Sequence, residues 1–136
     1  MALVGIFNAT QGLEGNTVTK TNQKVGGKDD PYYAGDSLTI EVTVETPNGG
    51  AFDLTGGTIS WALADHSGAE ADLTDEDSGV TTGIVNASEG RLEVVIDSGA
   101  TDDLAGKKYH ELEVESADGD KTTVLTGPFI IREDTV

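Results

Sequence analysis

The chain has no cysteine, which excludes disulfide staples, zinc–thiolate sites and a cysteine nucleophile together. A chain of this kind suits folding in a reducing cytoplasm. Aromatic residues make up only 5%, so the core must rest on Val, Ile and Leu. Bases are equally scarce: 8 Lys and Arg stand against 25 Asp and Glu, a formal net charge of −17. Nucleic-acid binding needs basic side chains to neutralise phosphates, so that partner class is set aside. No apolar run approaches the about 20 residues of a spanning helix, so no membrane partner is expected. Residues 1–7 are apolar but lack a basic n-region and an adequate h-region, and make a poor signal peptide. The 136 residues fit one domain with a real core.

What charge there is lies unevenly. Residues 1–35 hold three Lys and three acids, so the remaining five bases and 22 acids carry the whole −17. The early segment is also broken by Gly5, Gly12, Gly15, Gly26 and Gly27 and shows no sustained period. Residues 1–32 therefore read as an extended N-terminal arm or a mobile tail; the apolar start favours an arm that orders on a neighbouring subunit, with Leu3, Val4, Ile6 and Phe7 as its anchor. Residues 33–136 read as an acidic globular unit.

From Ser37 onward the period is two. Leu38, Ile40 and Val42 alternate with Thr39, Glu41 and Thr43, the mark of a half-buried strand. The same parity puts Ile59, Trp61 and Leu63 inward, then Leu92 and Val94, then Leu112 and Val114, then Phe129 and Ile131. Shorter strands are expected at 71–73 and 80–85, and one helical turn at 102–106. Turns are expected at Pro47-Asn48-Gly49-Gly50, at 86–90 and at Asp118-Gly119-Asp120, with a break or bulge near Pro128. Trp61, the only tryptophan, is expected to plug the space between two sheets. About seven short strands with no long helical period indicate an all-β antiparallel β-sandwich.

Two readings of the acidity compete. An acidic surface stays hydrated at molar salt, where the Debye length falls to about 3 Å and self-repulsion is screened. Alternatively, Asp72, Asp75 and Asp77 before Gly79 offer hard oxygen ligands for Ca²⁺, though without the ligand order or flanking helices of an EF-hand. The acids are spread along the whole unit, which favours the halophilic surface; bound cations are the only cofactor-like ligands expected. His66 and His110 are too few for a transition-metal site, and His110 shares the inward parity of Leu112. The run Val94-Val95-Ile96-Asp97-Ser98-Gly99-Ala100-Thr101 resembles the catalytic loop of retroviral-type aspartic proteases, which would make Asp97 a catalytic carboxylate. Only residues 100–136 follow Gly99, too few for the flap and second loop of that fold. No nucleophile–base pairing stands out, so no catalytic site and no enzyme activity are expected.

A succession of short elements carries a resemblance. Tyr33-Ala34-Gly35-Asp36-Ser37-Leu38-Thr39-Ile40 is followed by Phe52-Asp53-Leu54-Thr55-Gly56-Gly57-Thr58-Ile59, Gly90-Arg91-Leu92, Asp103-Leu104-Ala105-Gly106-Lys107-Lys108-Tyr109 and Phe129-Ile130-Ile131. This is similar to immunoglobulin-like domains of tailed-phage structural proteins, including the N-terminal domain of baseplate upper proteins. The resemblance implies no catalytic residues, and it offers Tyr109 as a corner tyrosine bonded to nearby backbone. With the acidity, it implies a virion protein of a haloarchaeal tailed virus, either a head decoration or turret protein or a tail or baseplate component. Its partners would be other virion proteins, major capsid or tail proteins, and further copies of itself in a homo-oligomer. The alternative is a carbohydrate- or host-receptor-binding module, for which Tyr32, Tyr33 and Tyr109 are the candidate aromatics.

Overall fold

The alternation that begins at Ser37 becomes a strand whose every second side chain is buried, from Leu38 to Val44. The computed structural model describes residues 2–11, 18–19, 21–22, 24–26, 31–45 and 50–135, with side chains from residue 24 onward. In chain order the strands are β1 (Ala2–Gln11), β2 (Val18–Thr19), β3 (Thr21–Asn22), β4 (Tyr32–Tyr33), β5 (Ser37–Glu45), β6 (Thr58–Ala64), β7 (Ala71–Thr74), β8 (Val80–Asn86), β9 (Arg91–Ile96), β10 (Gly106–Glu115) and β11 (Lys121–Arg132). Among the described residues one 3₁₀ turn, Ala87–Glu89, interrupts them.

Two sheets result, in the orders β2-β1-β5-β9-β8 and β3-β11-β10-β6-β7, with β4 also pairing β11. The chain is thus an all-β sandwich. β5, β9 and β8 hold the positions of immunoglobulin strands B, E and D, while β6, β10 and β11 hold C, F and G. The seven strands from Ser37 to Arg132 pair antiparallel: β6-β7, β8-β9 and β10-β11 are hairpins, whose short connections require it, and β5-β9 and β6-β10 join strands distant in sequence.

The N-terminal segment departs from the expected arm. β1 lies parallel to β5 over nine residue pairs, Ala2↔Ser37 to Thr10↔Glu45, and β3 and β4 lie parallel to β11. The sandwich is therefore not purely antiparallel, and a division at residue 32 cuts through it. Tyr32 is fully buried, and Val25 joins the same core while bonding to Pro128 and Ile130. These residues lack a local period because the partner strand, not their own pattern, dictates their placement. Leu3, Val4, Ile6 and Phe7 are all in β1; their side chains lie outside the described residues.

The core runs between the sheets. Leu38, Ile40, Val42, Ile59, Trp61, Leu63, Leu92, Val94, Leu112, Val114, Phe129 and Ile131 are all buried. At its centre the aromatic rings meet edge to face: Phe129 contacts Tyr32 at 5.3 Å, His110 at 5.3 Å and Trp61 at 6.2 Å between centroids. Such contacts add about 1 kcal/mol each beyond area burial, which compensates for the low aromatic content.

Three local expectations change. No helical turn forms at 102–106; that stretch is a run of tight turns closed by Leu104 N–H donating to Thr101 O. β11 continues through Pro128, because the Pro128 carbonyl faces Val25, away from β10, so the missing N–H falls outside the β10 ladder. The register shift lies instead at Val124, between the pairs Leu112↔Leu125 and Glu113↔Thr123. Of the turn expected at 47–50, all but Gly50 lies outside the described residues.

Candidate surface site

A cleft of ≈ 650 Å³ opens on the outer face of the β10-β6-β7 sheet. Its floor follows from parity. β6 turns Ser60, Ala62 and Ala64 outward, and these pair in register with Glu113, Glu111 and Tyr109 of β10. Small side chains beside large ones leave a step, and the turns holding His66 and Glu76 form the opposite wall. The lining is rich in acceptors: Glu111, Glu113, Asp75 and Glu76 are carboxylates, and the Tyr109 ring offers a π face. The arrangement suits a cationic or polyhydroxylated group. It has no nucleophile paired with a base.

The candidate calcium carboxylates are each engaged separately. Asp72 Oδ2 accepts from Lys108 Nζ at 2.9 Å. Asp75 Oδ1 accepts from the Trp61 N–H at 3.0 Å, while the Asp75 N–H donates to the Trp61 carbonyl at 3.0 Å, extending the β6–β7 ladder by one rung. Asp77 Oδ2 accepts from the Thr74 N–H at 2.8 Å and closes a tight turn. Among the described residues no group of three or more His, Asp or Glu converges as a metal site.

Lys108 is held between two carboxylates, Asp65 Oδ1 at 2.6 Å and Asp72 Oδ2 at 2.9 Å, and its side chain is only 12% exposed. The ammonium bonds and charge hold the Asp65 carboxyl below its usual range, and the two carboxylates raise Lys108. Among the described residues Arg91–Glu89, at 3.9 Å, is the remaining ion pair. The other acids face outward on both sheets and in the loops.

The two histidines separate. His66 is exposed beside the cleft, its Nδ1 3.0 Å from the Ser67 carbonyl. His110 is fully buried, and Trp61 Nε1–H donates to its Nδ1 at 3.3 Å, which places the imidazole proton on Nε2.

The loop that resembles a protease site is structural. Asp97 is exposed, and its N–H donates to the Gly79 carbonyl at 2.8 Å. Thr101, fully buried, accepts from the Gly35 N–H at 2.9 Å and lies 3.0 Å from the Tyr32 hydroxyl. The Tyr32 hydroxyl donates to the Asp36 carbonyl at 2.5 Å, so the Thr101 hydroxyl donates to Tyr32 and every polar atom is satisfied. A corner tyrosine therefore exists, but it is Tyr32. Tyr109 lines the cleft, and its hydroxyl makes no hydrogen bond among the described residues. Burial removes Tyr32 from the candidate ligand platforms and leaves Tyr33 and Tyr109.

Sequence reading missed the exposed apolar pair Ile84 and Val85, 38% and 52% exposed, where β8 bulges between Ile84 and Asn86. A bulge leaves no trace in an alternating pattern. Among the described residues no helix is long and apolar enough to cross a membrane. Neither a protein family nor a curated protein matches the chain.

Proposed function

We propose that the protein is a non-enzymatic structural component of a tailed-virus particle, a head decoration or turret or a tail or baseplate protein, that assembles through its N-terminal segment. One observation supports the reading: the charge and the first strand are segregated. The sandwich after residue 35 holds the entire −17, whereas β1 has no charged residue and lies between β5 and the two-residue β2. An uncharged strand approaches acidic neighbours without repulsion, and a symmetric array multiplies its weak contacts. The acidity fits a halophilic host, where molar salt screens the sandwich.

The test is deletion of residues 1–17, which spares the buried Val25 and Tyr32. A truncated chain that keeps its β-sheet circular dichroism but no longer enters particles supports the reading. Normal incorporation overturns it.

A second reading has its own observation, the cleft with Tyr109 above Glu111 and Glu113. Aromatic face and acceptors together suit a glycan or a cationic receptor segment. Specific binding on a glycan array, lost in Tyr109→Ala, would favour attachment over assembly.

A further inference from the structure

We propose that β8, the open edge of the first sheet, pairs with β8 of a second copy of this chain, antiparallel about a two-fold axis, so that the sheet runs on from one copy into the other. This surface lies at the far end of the sheet from β1 and β2 and does not depend on what the N-terminal segment docks on.

Backbone direction defines the edge. The Asp97 N–H donates to the Gly79 carbonyl at 2.8 Å, so Thr81↔Val95 and Gly83↔Glu93 are the pairs that exchange bonds with β9. Val80, Thr82 and Ile84 fall between them and turn their N–H and C=O groups away from β9. The Val80 N–H is taken by the Asp77 carbonyl, while Thr82 and Ile84 face no further strand among the described residues. The register shift between Ile84 and Asn86 follows this stretch and leaves it regular.

The edge also lacks the usual protection, since open edges are normally short, charged or broken by proline. β7, the open edge of the other sheet, is four residues long and carries Asp72, held by Lys108. β8 is seven residues long, VTTGIVN, and residues 78–88 carry no charge in a chain of −17. Ile84 and Val85 are, with Tyr33, the exposed large apolar side chains of the described residues. Gly83, in mid-strand, has no positive φ, and a Cβ there would meet nothing within 4 Å. Neither backbone nor packing within the chain accounts for it, and a glycine inside a strand often marks the close passage of another backbone.

Self-complementarity selects a second copy. A partner for β8 must bring an open edge of its own without acids, because like charges facing across a ladder repel. Among the described strands β8 is the one that does so, as β2 and β3 are two residues each and β7 is acidic. With Gly83 on the axis, Thr82 lies opposite Ile84 of the second copy and exchanges both bonds with it. Thr81 then lies opposite Val85, so β-branched residues face one another and no charge enters the ladder. Ile84, left uncovered in its own sandwich, gains Thr82 of the second copy as a neighbour. Both copies use the same patch, so the contact closes as a dimer.

The absence of native cysteine makes the register readable. The two copies of residue 83 form a non-bonded pair about 4.5 Å apart at Cα, within disulfide range, whereas residue 81 stands opposite 85 and not opposite itself. Full-length Gly83→Cys, whose new side chain has room within its own chain, is oxidised in molar KCl, where repulsion between copies is screened. It is expected to form the covalent dimer at least about tenfold faster than Thr81→Cys. By sedimentation equilibrium the wild type is expected to dimerise in molar KCl. Ile84→Lys should weaken that dimer at least about tenfold, although the added lysine lowers the repulsion between copies. The cross-linking comparison stands whether or not Ile84→Lys folds. A wild type that stays monomeric at every concentration, or equal cross-linking at 83 and 81, overturns the proposal. An Ile84→Lys dimer as tight as wild type does the same, because it places the interface elsewhere.

Discussion

The hydroxyl of Tyr32 lies 3.0 Å from Oγ1 of Thr101, 69 residues further along the chain. The contact ties the turn before β5 to the loop after β9, and so joins the two sheets at one end. Thr101 also accepts from the Gly35 N–H, and the Gly35 carbonyl accepts from the Gly99 N–H at 2.8 Å. Removing a single partner leaves buried groups without bonds, which costs more than the bonds themselves contribute.

Thr101→Val is expected to destabilise by about 1–3 kcal/mol, since the half-buried Gly35 N–H loses its acceptor and the buried Tyr32 hydroxyl loses its donor. Tyr32→Phe should cost about 1–2 kcal/mol, and the double variant less than the sum. Urea unfolding of the four proteins gives the coupling. Strict additivity would show that the two hydroxyls do not act together.

The same tyrosine sets an alkaline limit. Burial raises the Tyr32 hydroxyl above its usual value, against a smaller lowering by its bond with Thr101. A raised folded value means that the unfolded chain loses this proton first. The contribution is therefore complete below about pH 10 and is lost as pH rises beyond it. Tyr32→Phe lacks this loss, so the stability gap between wild type and variant should narrow above about pH 10. A constant gap would count against the assignment.

β5, β6, β9, β10 and β11 were legible because each buries one face, and Leu38, Ile40, Val42 and their counterparts write that face at period two. The N-terminal strands were not. Ala2-Leu3-Val4-Gly5-Ile6-Phe7 has no alternation, and its pairing is decided by the β5 edge rather than by its own pattern. Tyr32 and Val25 enter the core as isolated residues placed by β11, so no window around them carries a period. The cleft was half legible: the outward Glu111 and Glu113 follow from parity, but the small residues of β6 opposite them needed the register.

The clamp on Lys108 predicts an acid effect. Asp65 is held below its usual range, chiefly by the hydrogen bond from Lys108, so its contribution is present above about pH 4 and is lost as pH falls through the lowered value. Lys108→Gln should lower the melting temperature at pH 7 and low salt by about 3 °C. The difference should shrink below about pH 4, where the carboxylates protonate, and again at molar salt. A deficit that persists under both conditions would assign the effect to lost packing of the lysine stem.

Gly90 follows the 3₁₀ turn with φ of 70°, and a Cβ there would overlap the Val44 carbonyl oxygen and lie 2.8 Å from the Phe52 carbonyl. Both obstacles are backbone, so neither can swing aside. Gly90→Ala should cost about 3 kcal/mol or more, from strain and overpacking combined. Gly68, with φ of +85° and open space around its Cβ position, is the control: Gly68→Ala should cost about 1 kcal/mol. Equal losses at both sites would mean that the close approach at Gly90 contributes nothing.

Salt dependence separates the two meanings of the charge. With 22 acids and five bases after residue 35 and few ion pairs among the described residues, the folded chain concentrates like charges that the unfolded chain spreads apart. Screening must therefore favour folding: between low salt and 2 M KCl the melting temperature should rise by about 10 °C or more, on the scale of a few kcal/mol for a domain of this size. Potassium and sodium should act alike, because screening depends on ionic strength. Should millimolar Ca²⁺ instead produce the rise at low ionic strength, specific carboxylate sites would account for it. Asp72 would then be the carboxylate to replace first, because it is tied to Lys108 rather than to the backbone, so Asp72→Asn should abolish the calcium effect while leaving the KCl effect intact.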